Sequence, residues 1–348
     1  MSRDAYVKLA TYLDNAPIGA PLTDDLIAIL ETLYTPEEAE LAAKIPFFNT
    51  DFPSLVGITG MEEKKLKDML IVMAKKGTIF MNEKGKFRLM PTVVGFSETP
   101  FWPGKRTKTT EKLARHWVDY FREAFGKELG DRTTPALRVV PIDESVDSGA
   151  TVTPNEQVDA LMDQVDYFAV AHCPCRLMAV QSGEPHCDHE TERCFHFGSM
   201  AKYMVSMNMA REIDRDETKR LLKLAHEEGL VHMTDNYGPK VSTMCSCCGD
   251  CCIFMRTRKE IGLKNAFANS NYVMRVDADA CAGCGTCEGR CPVGAIVIDE
   301  VSVVDTEKCI GCGVCFPTCP SDAISLVDRS ERKEILEPKQ FLEAFMKR

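Results

Sequence analysis

The chain lacks any long uninterrupted run of apolar residues. No stretch approaches the roughly 18 consecutive apolar side chains that read as a bilayer span, and Arg3, Asp4 and Lys8 stand where a secretion signal would be apolar. These absences argue against a membrane span and a secretory leader. They predict a soluble, cytoplasmic protein.

The motifs of common cofactor and hydrolase sites are lacking as well. There is no glycine-rich dinucleotide fingerprint, no phosphate-binding Walker loop, no G-x-S-x-G elbow and no H-E-x-x-H pair. A flavin, nicotinamide or ATP site in this chain is therefore unsupported.

Positive charge is in short supply. Lys and Arg number 42 against 52 Asp and Glu, which gives a formal net charge of -10. Proteins that bind phosphate backbones need clustered basic side chains to displace counterions. We therefore do not expect a nucleic-acid partner.

Cysteine is absent from the first half and abundant afterwards. None of the 17 cysteines precedes Cys173; nine lie between Cys173 and Cys252, and eight lie between Cys281 and Cys319. An odd number of thiols in a reducing compartment does not form a disulfide framework. Metal ligation is the natural alternative.

The 348 residues suffice for several domains. Apolar residues at helical spacing between Leu26 and Leu33 and between Leu66 and Met73, followed by two short strands around Asn82–Lys86, resemble the order of elements in a winged-helix domain. Mixed helix and strand patterns follow a cluster of Pro and Gly between Pro91 and Gly104.

We therefore predict an α+β multidomain chain, with a winged-helix-like first domain, a cysteine-rich mixed α/β central domain, a second cysteine-rich domain and a helical C-terminal tail. Their predicted bounds are 1–95, 105–270, 271–330 and 331–348.

The decisive feature is a repeated motif. Cys281-x-x-Cys284-x-x-Cys287-x-x-x-Cys291-Pro recurs 28 residues later, from Cys309 to Cys319. C-x-x-C spacing in a tight loop allows three neighbouring sulfurs to face one iron-sulfur cube, whose fourth ligand comes from elsewhere. Zinc binding is the less specific alternative.

This region resembles the bacterial two-cluster ferredoxins, in which the cysteine before proline ligates the other cluster. The resemblance implies that residues 271–330 form a ferredoxin-like dicluster domain with two [4Fe-4S] clusters. It also implies two ligand groups, named here the first and second thiol sets. The first set is Cys281, Cys284, Cys287 and Cys319; the second is Cys309, Cys312, Cys315 and Cys291.

The nine earlier cysteines fit no ferredoxin spacing. We interpret them as a further metal site holding one or more additional Fe-S clusters, with zinc or redox-active thiols as alternatives. Four histidines among them either hydrogen-bond to ligating residues, face solvent or replace a thiolate as a ligand: His172, His186, His189 and His196. The candidate ligands, named here the central cysteines, are Cys173, Cys175, Cys187, Cys194, Cys245, Cys247, Cys248, Cys251 and Cys252.

The succession of His-Cys-Pro-Cys-Arg at 172–176, Cys-x-Cys-Cys-x-x-Cys-Cys at 245–252 and two ferredoxin motifs resembles a family of 4Fe-4S dicluster proteins of anaerobic bacteria and archaea. The resemblance covers about residues 165 to 330 and implies no particular reaction.

Three functions are compatible with these features. The first is an electron-transfer protein or subunit that passes single electrons between a redox partner protein and the central site or a partner oxidoreductase. The second is an enzyme with a catalytic cluster in the central domain. The third is a redox-sensing winged-helix regulator. Whether the chain is itself an enzyme stays open at this point.

Overall fold

The structure, a computed structural model, describes residues 2–16 and 18–347. Met1, Pro17 and Arg348, which belong to the predicted first domain and C-terminal tail, lie outside the described residues. The α-helices are α1 (Ser2–Leu13), α2 (Asp24–Leu33), α3 (Pro36–Ala42), α4 (Phe52–Thr59), α5 (Glu63–Lys76), α6 (Lys108–Tyr120), α7 (Gly126–Gly130), α8 (Val158–Asp163), α9 (Pro174–Ser182), α10 (Gly198–Ser206), α11 (Arg215–Glu227), α12 (Ile253–Arg256), α13 (Thr286–Arg290) and α14 (Pro338–Phe345).

The strands are β1 (Ile79–Met81), β2 (Phe87–Leu89), β3 (Leu137–Val139), β4 (Phe168–His172), β5 (Glu192–Phe197), β6 (Arg211–Ile213), β7 (Val231–Asp235), β8 (Thr243–Cys247), β9 (Tyr272–Val276), β10 (Ile296–Asp299), β11 (Val301–Val304) and β12 (Ile324–Asp328). Helices and sheets are thus mixed, and the chain is of the α+β class.

The elements form two compact units, each built from several chain segments. The first unit comprises Met1–Leu129, Ala169–Glu192 and Ser199–Glu212; the second comprises Gly130–Phe168, Arg193–Gly198 and Ile213–Arg348. Both units include parts of the predicted central domain, 105–270. The four domain bounds given above stay predictions.

In the first unit, helix ends follow from local sequence. The side chain of Thr23 accepts the N–H of Leu26 at the start of α2, and Thr35 and Glu38 form a capping box at the start of α3. Gly77, with φ of 78°, ends α5 in the left-handed conformation that glycine tolerates. These predicted helices and the β1–β2 hairpin are confirmed; the winged-helix resemblance stays a prediction.

The second unit contains a run of four antiparallel strands in the order β3-β7-β8-β5. Cys245 of β8 lies opposite Met233 on one side and Cys194 of β5 on the other. The segment that follows Gly229 forms β7. It leads to a partner strand that carries cysteines itself.

One helix begins later than its sequence indicates. The sequence Thr153-Pro154-Asn155-Glu156 predicts a capping box at the start of a helix. The box forms, but it encloses only a single 3-10 turn. Gln157 is extended, and α8 begins at Val158, whose N–H donates to the carboxylate of Asp143 at 3.0 Å. A carboxylate distant in sequence thus caps the helix in place of the local box.

Two further hairpins follow in the second unit: β9 pairs with β12, and β10 pairs with β11. Between and beside them run the two cysteine loops. Of the predicted C-terminal tail, α14 is helical and buries Phe341 and Phe345. Among the described residues, no helix combines the length and the apolar character needed to cross a membrane.

Candidate metal centres

The two cysteine loops have the same backbone geometry at equivalent positions. Gly283 and Gly311, 28 residues apart, adopt φ of 61° and 65°. A Cβ on Gly283 would lie 2.3 Å from the carbonyl oxygen of Glu300, and a Cβ on Gly311 would lie 2.2 Å from that of Tyr272. Only glycine fits, because the loop runs directly against backbone that is itself equivalent in the two repeats.

The second thiol set gathers in one place. Cys291, Cys309, Cys312 and Cys315 line one small cavity. Burial, and after it the nearby Cys309 and Cys291, raise the pKa of Cys312 to about 12. Cys315 is affected in the same way by burial and then by the other three thiols.

Four thiols crowded together, three of them buried and one half-buried, are unfavourable as free thiolates. Iron ions relieve this repulsion, because each bound thiolate then faces positive charge. The residues present therefore fit a [4Fe-4S] cluster at this set. When bound, such a cluster supplies one-electron redox chemistry.

The first thiol set lies nearer the surface. Cys284 is exposed, Cys281 and Cys319 are half-buried, and Cys287 is buried. Ser302 joins two of them: its backbone N–H donates to Cys281 Sγ at 3.4 Å, and its hydroxyl lies 3.3 Å from Cys287 Sγ. Cys319 and Cys287 belong to the same apolar cluster.

Hydrogen bonds around Cys284 favour the thiolate form of its side chain. The hydroxyl of Thr286 lies 3.4 Å from its sulfur. Hydrogen bonds from this hydroxyl and from the Thr286 backbone N–H hold the pKa of the Cys284 thiol below its usual range. The same bonds suit a thiolate ligand.

Backbone N–H groups also donate hydrogen bonds to the two cysteines that precede proline. The N–H of Ala295 donates to Cys291 Sγ at 3.2 Å, and the N–H of Ala323 donates to Cys319 Sγ at 3.3 Å. Such bonds stabilise negative charge on sulfur and raise the reduction potential of a cluster. The two sets are alike in this respect.

They differ at one position that sequence reasoning missed. Met274 is the residue equivalent to Ser302 in the repeat, and its thioether sulfur lies 3.7 Å from Cys315 Sγ. A hydroxyl can donate to a thiolate and a thioether cannot. Comparing the two repeats position by position would have found this difference.

The second loop is buried in its unit. Cys309, Cys312 and Cys315 are all buried. A Cβ on Gly313 would lie 2.4 Å from the hydroxyl oxygen of Ser145, and the Ser270 hydroxyl donates to the carbonyl of Gly311 at 2.7 Å. The second thiol set thus faces the protein interior, whereas the first includes an exposed cysteine.

The central cysteines of the second unit fall into groups. Cys247 lies within hydrogen-bonding reach of Cys245 and Cys252, and these contacts, more than its burial, raise the pKa of its thiol. Cys248 instead approaches Cys251: their sulfurs lie within 4.8 Å, and the N–H of Cys251 donates to Cys248 Sγ.

Adjacent cysteines therefore diverge, because neighbouring side chains leave the backbone in different directions. Cys194 lies beside this region on β5, with its sulfur 3.3 Å from Nε2 of His196. Burial lowers the pKa of His196 to about 4. The ring is therefore neutral at neutral pH and able to accept or share a proton with the thiol.

In the first unit, the His-Cys-Pro-Cys-Arg segment lies where β4 ends and α9 begins. Hydrogen bonding with Cys175 and burial raise the pKa of Cys173, and the Arg176 guanidinium opposes this. Arg176 is only 1% exposed and donates to the carbonyl of Glu190. A buried cation at this position suits anionic sulfur ligands.

Two of the predicted histidines form hydrogen bonds within the first unit. His172 Nδ1 lies 2.8 Å from the hydroxyl of Thr191, and His186 Nδ1 lies 2.8 Å from the carbonyl of Glu184. Cys187 is half-buried, as is His189, in the segment before β5. His172 is thus a hydrogen-bonding residue here.

Comparison with known proteins finds a family match for one part of the chain. The family model of the 4Fe-4S binding domain matches residues 274–297 and again 302–325. A search of curated proteins finds no match to this chain. The C-terminal region is therefore similar to 4Fe-4S binding domains, and together with the many cysteines this supports an iron-sulfur electron-transfer role.

Proposed function

We propose that this chain is an electron-transfer protein or subunit whose first and second thiol sets each hold one [4Fe-4S] cluster. The observation that carries the proposal is the gathering of Cys291 with Cys309, Cys312 and Cys315 around one cavity. It supports a ligand from the first motif crossing to the second cluster.

The exposure of the two sets suggests a route. Cys284 of the first set is exposed, so a redox partner protein can approach that cluster closely. The second set is buried beneath Ser145 and Ser270. We therefore propose that electrons are exchanged with a partner at the first cluster and pass inward to the second.

We further propose that the central cysteines hold at least one additional Fe-S cluster. Cys245, Cys247 and Cys252 are the candidate ligands in the second unit, and Cys173 and Cys175 those in the first. Such a cluster is the expected internal electron acceptor or donor. The cytoplasmic location and the reducing, anaerobic setting stay predictions.

The test combines iron and acid-labile sulfide analysis with EPR of the reduced protein, prepared without oxygen. Two clusters require about eight irons per chain, and a third raises the number to about twelve for a [4Fe-4S] type. Cys312→Ala should remove the signal of the second cluster. Cys247→Ala should leave both ferredoxin-type signals intact, and loss of all clusters in that variant contradicts the proposal.

A second candidate is an enzyme with a catalytic cluster in the central domain. Two buried histidines behind β8 favour it: His232 Nδ1 lies 3.1 Å from the Ser246 hydroxyl, and the rings of His226 and His232 are 6.1 Å apart. Among the described residues, neither ring nitrogen of His226 has a hydrogen-bond partner. Burial lowers their pKa values to about 4 and about 3, so both rings are neutral proton acceptors.

The discriminating experiment asks whether the central cluster has an open coordination position. Cyanide added to the reduced protein should shift only the central EPR signal if this candidate is correct. An unchanged spectrum favours electron transfer alone.

The regulator hypothesis receives less support. On α5, Lys65 pairs with Glu37 at 2.5 Å, and Lys76 pairs with Glu38 at 2.6 Å. Lysines that are neutralised by α3 carry little charge toward a phosphate backbone.

A further inference from the structure

Two arginines donate to the backbone of the second cysteine loop, and a third lies close enough to interact electrostatically with Cys309. Arg290 donates through Nε to the carbonyl of Val314, which lies between Cys312 and Cys315 in the chain. Arg329 donates through one terminal nitrogen to the carbonyl of Cys309 itself. Arg258 stacks on the ring of Phe267 at 4.9 Å and donates to the side chain of Asn269.

The thiols of the second set interact electrostatically with these cations, and Glu307 does so with Arg329 as well. Burial lowers the pKa of Arg290, and the thiolates of Cys315 and Cys312 oppose that shift. Cys309 has the same opposing effect on Arg329 and Arg258. Within residues 2–16 and 18–347, none of the three arginines forms an ion pair with a carboxylate.

The first thiol set has no equivalent cations. The repeat offset of 28 residues places Thr318 opposite Arg290 and Val301 opposite Arg329. Among the exposed carboxylates, Asp277 and Asp279 recur in the second repeat as Asp305 and Glu307. Glu288 and Glu300 do not recur, because Phe316 and Tyr272 stand at the equivalent positions. The duplication is therefore symmetric in its ligands and asymmetric in its charges.

We propose that Arg258, Arg290 and Arg329 hold the second cluster at a higher reduction potential than the first, so that an electron delivered to the exposed first set moves inward. The inference rests on the proposed function, because it assumes both ligand sets. Only one electron moves: the first cluster is oxidised by one unit, the second is reduced by one unit, and no bond or proton changes.

Two effects act against this order. Burial of the second set disfavours added negative charge, and the Ser302 hydroxyl stabilises Cys287 of the first set. The three guanidinium groups, which among the described residues form no ion pair with a carboxylate, outweigh both effects. An interaction with a full charge is stronger than one with a neutral donor, and it is weakly screened where solvent is partly excluded.

The experiment is an anaerobic redox titration followed by EPR. Cys312→Ala protein, which lacks the second cluster, assigns the signals. In the wild type we expect the second cluster to be reduced first. In Arg290→Met we expect the electron's distribution to shift about tenfold toward the first cluster, or 59 mV for one electron, with Arg290→Lys close to wild type.

Arg275→Met is the matched control. Arg275 lies on β9 of the same domain but pairs with Asp147 at 2.5 Å, so its removal should leave the difference between the two potentials unchanged. If Arg290→Met does not fold, Arg258→Met decides, since that side chain donates to Asn269 alone among the described residues.

Reduction of the first cluster before the second in the wild type overturns the inference. So does an unchanged potential difference in Arg290→Met, or in Arg258→Met where that variant decides. These outcomes differ from failure of the proposed function, which appears as wild-type protein with fewer than about eight irons per chain.

Discussion

Replacement of Gly311 by alanine tests the construction of the second loop most directly. Gly311 has φ of 65°, where an alanine costs about 1 kcal/mol. The new Cβ would also lie 2.2 Å from the Tyr272 carbonyl oxygen. Tyr272 is 0% exposed and is held by the β9–β12 pairing, so the loop, not the strand, has to move.

The required displacement is about 1 Å, and overpacking of this kind costs about 1–3 kcal/mol. We therefore expect Gly311→Ala to lose about 2–4 kcal/mol of unfolding free energy in total. Since cluster ligation demands the loop geometry, we also expect the iron content of the ferredoxin-type domain to fall by about half.

Two glycines provide matched controls. Gly60 has the same φ of 65° but no atom within 4 Å of the added Cβ, so Gly60→Ala should show the backbone strain alone. Gly283→Ala meets the Glu300 carbonyl in an exposed turn, which can move, and should retain more iron than Gly311→Ala.

Thermal unfolding and iron analysis under anaerobic conditions measure these effects. A Gly311→Ala protein with the full iron content and the stability of Gly60→Ala would refute the reasoning, because it would show that the loop does not press against β9.

Two further predictions concern single hydrogen bonds to sulfur. Ser302→Ala removes the hydroxyl at Cys287 and should lower the potential of the first cluster while leaving the second unchanged; redox titration with EPR detection checks this, and an equal shift of both clusters would contradict it. In metal-free protein, the lowered pKa of Cys284 means that its thiolate forms at lower pH than that of an ordinary cysteine. Its alkylation by iodoacetamide should therefore begin at lower pH, and Thr286→Val should move the profile upward; a profile that does not move would show that Thr286 is not the cause.

Several features of the fold could be predicted from sequence because their causes are local. The capping box of Thr35 and Glu38 and the glycine stop at Gly77 involve residues within one turn of one another. The box at Thr153 shows the limit of such reasoning. It forms as expected, yet α8 begins only where the distant Asp143 supplies a cap.

The candidate metal centres divide in the same way. The eight cysteines of the repeated motif are recognisable because thiolate spacing within a loop determines which sulfurs can face one cluster. The spacing of the central cysteines does not indicate which of them bind a cluster. Their grouping, with Cys247 near Cys245 and Cys252 and with Cys248 near Cys251, depends on how β8 and the following turn fold.

The amino-acid sequence by itself determined that two similar thiol loops exist, since loop chemistry is local and the duplication is visible in the residues. Only the tertiary structure decided how the two loops differ in burial and in neighbouring charge. Arg258 and Arg329 approach the second loop from outside both cysteine motifs, and Arg290 reaches it from the first motif. Because a cluster's potential depends on the charges and the solvent around it, the difference between two nearly identical motifs arises from the fold.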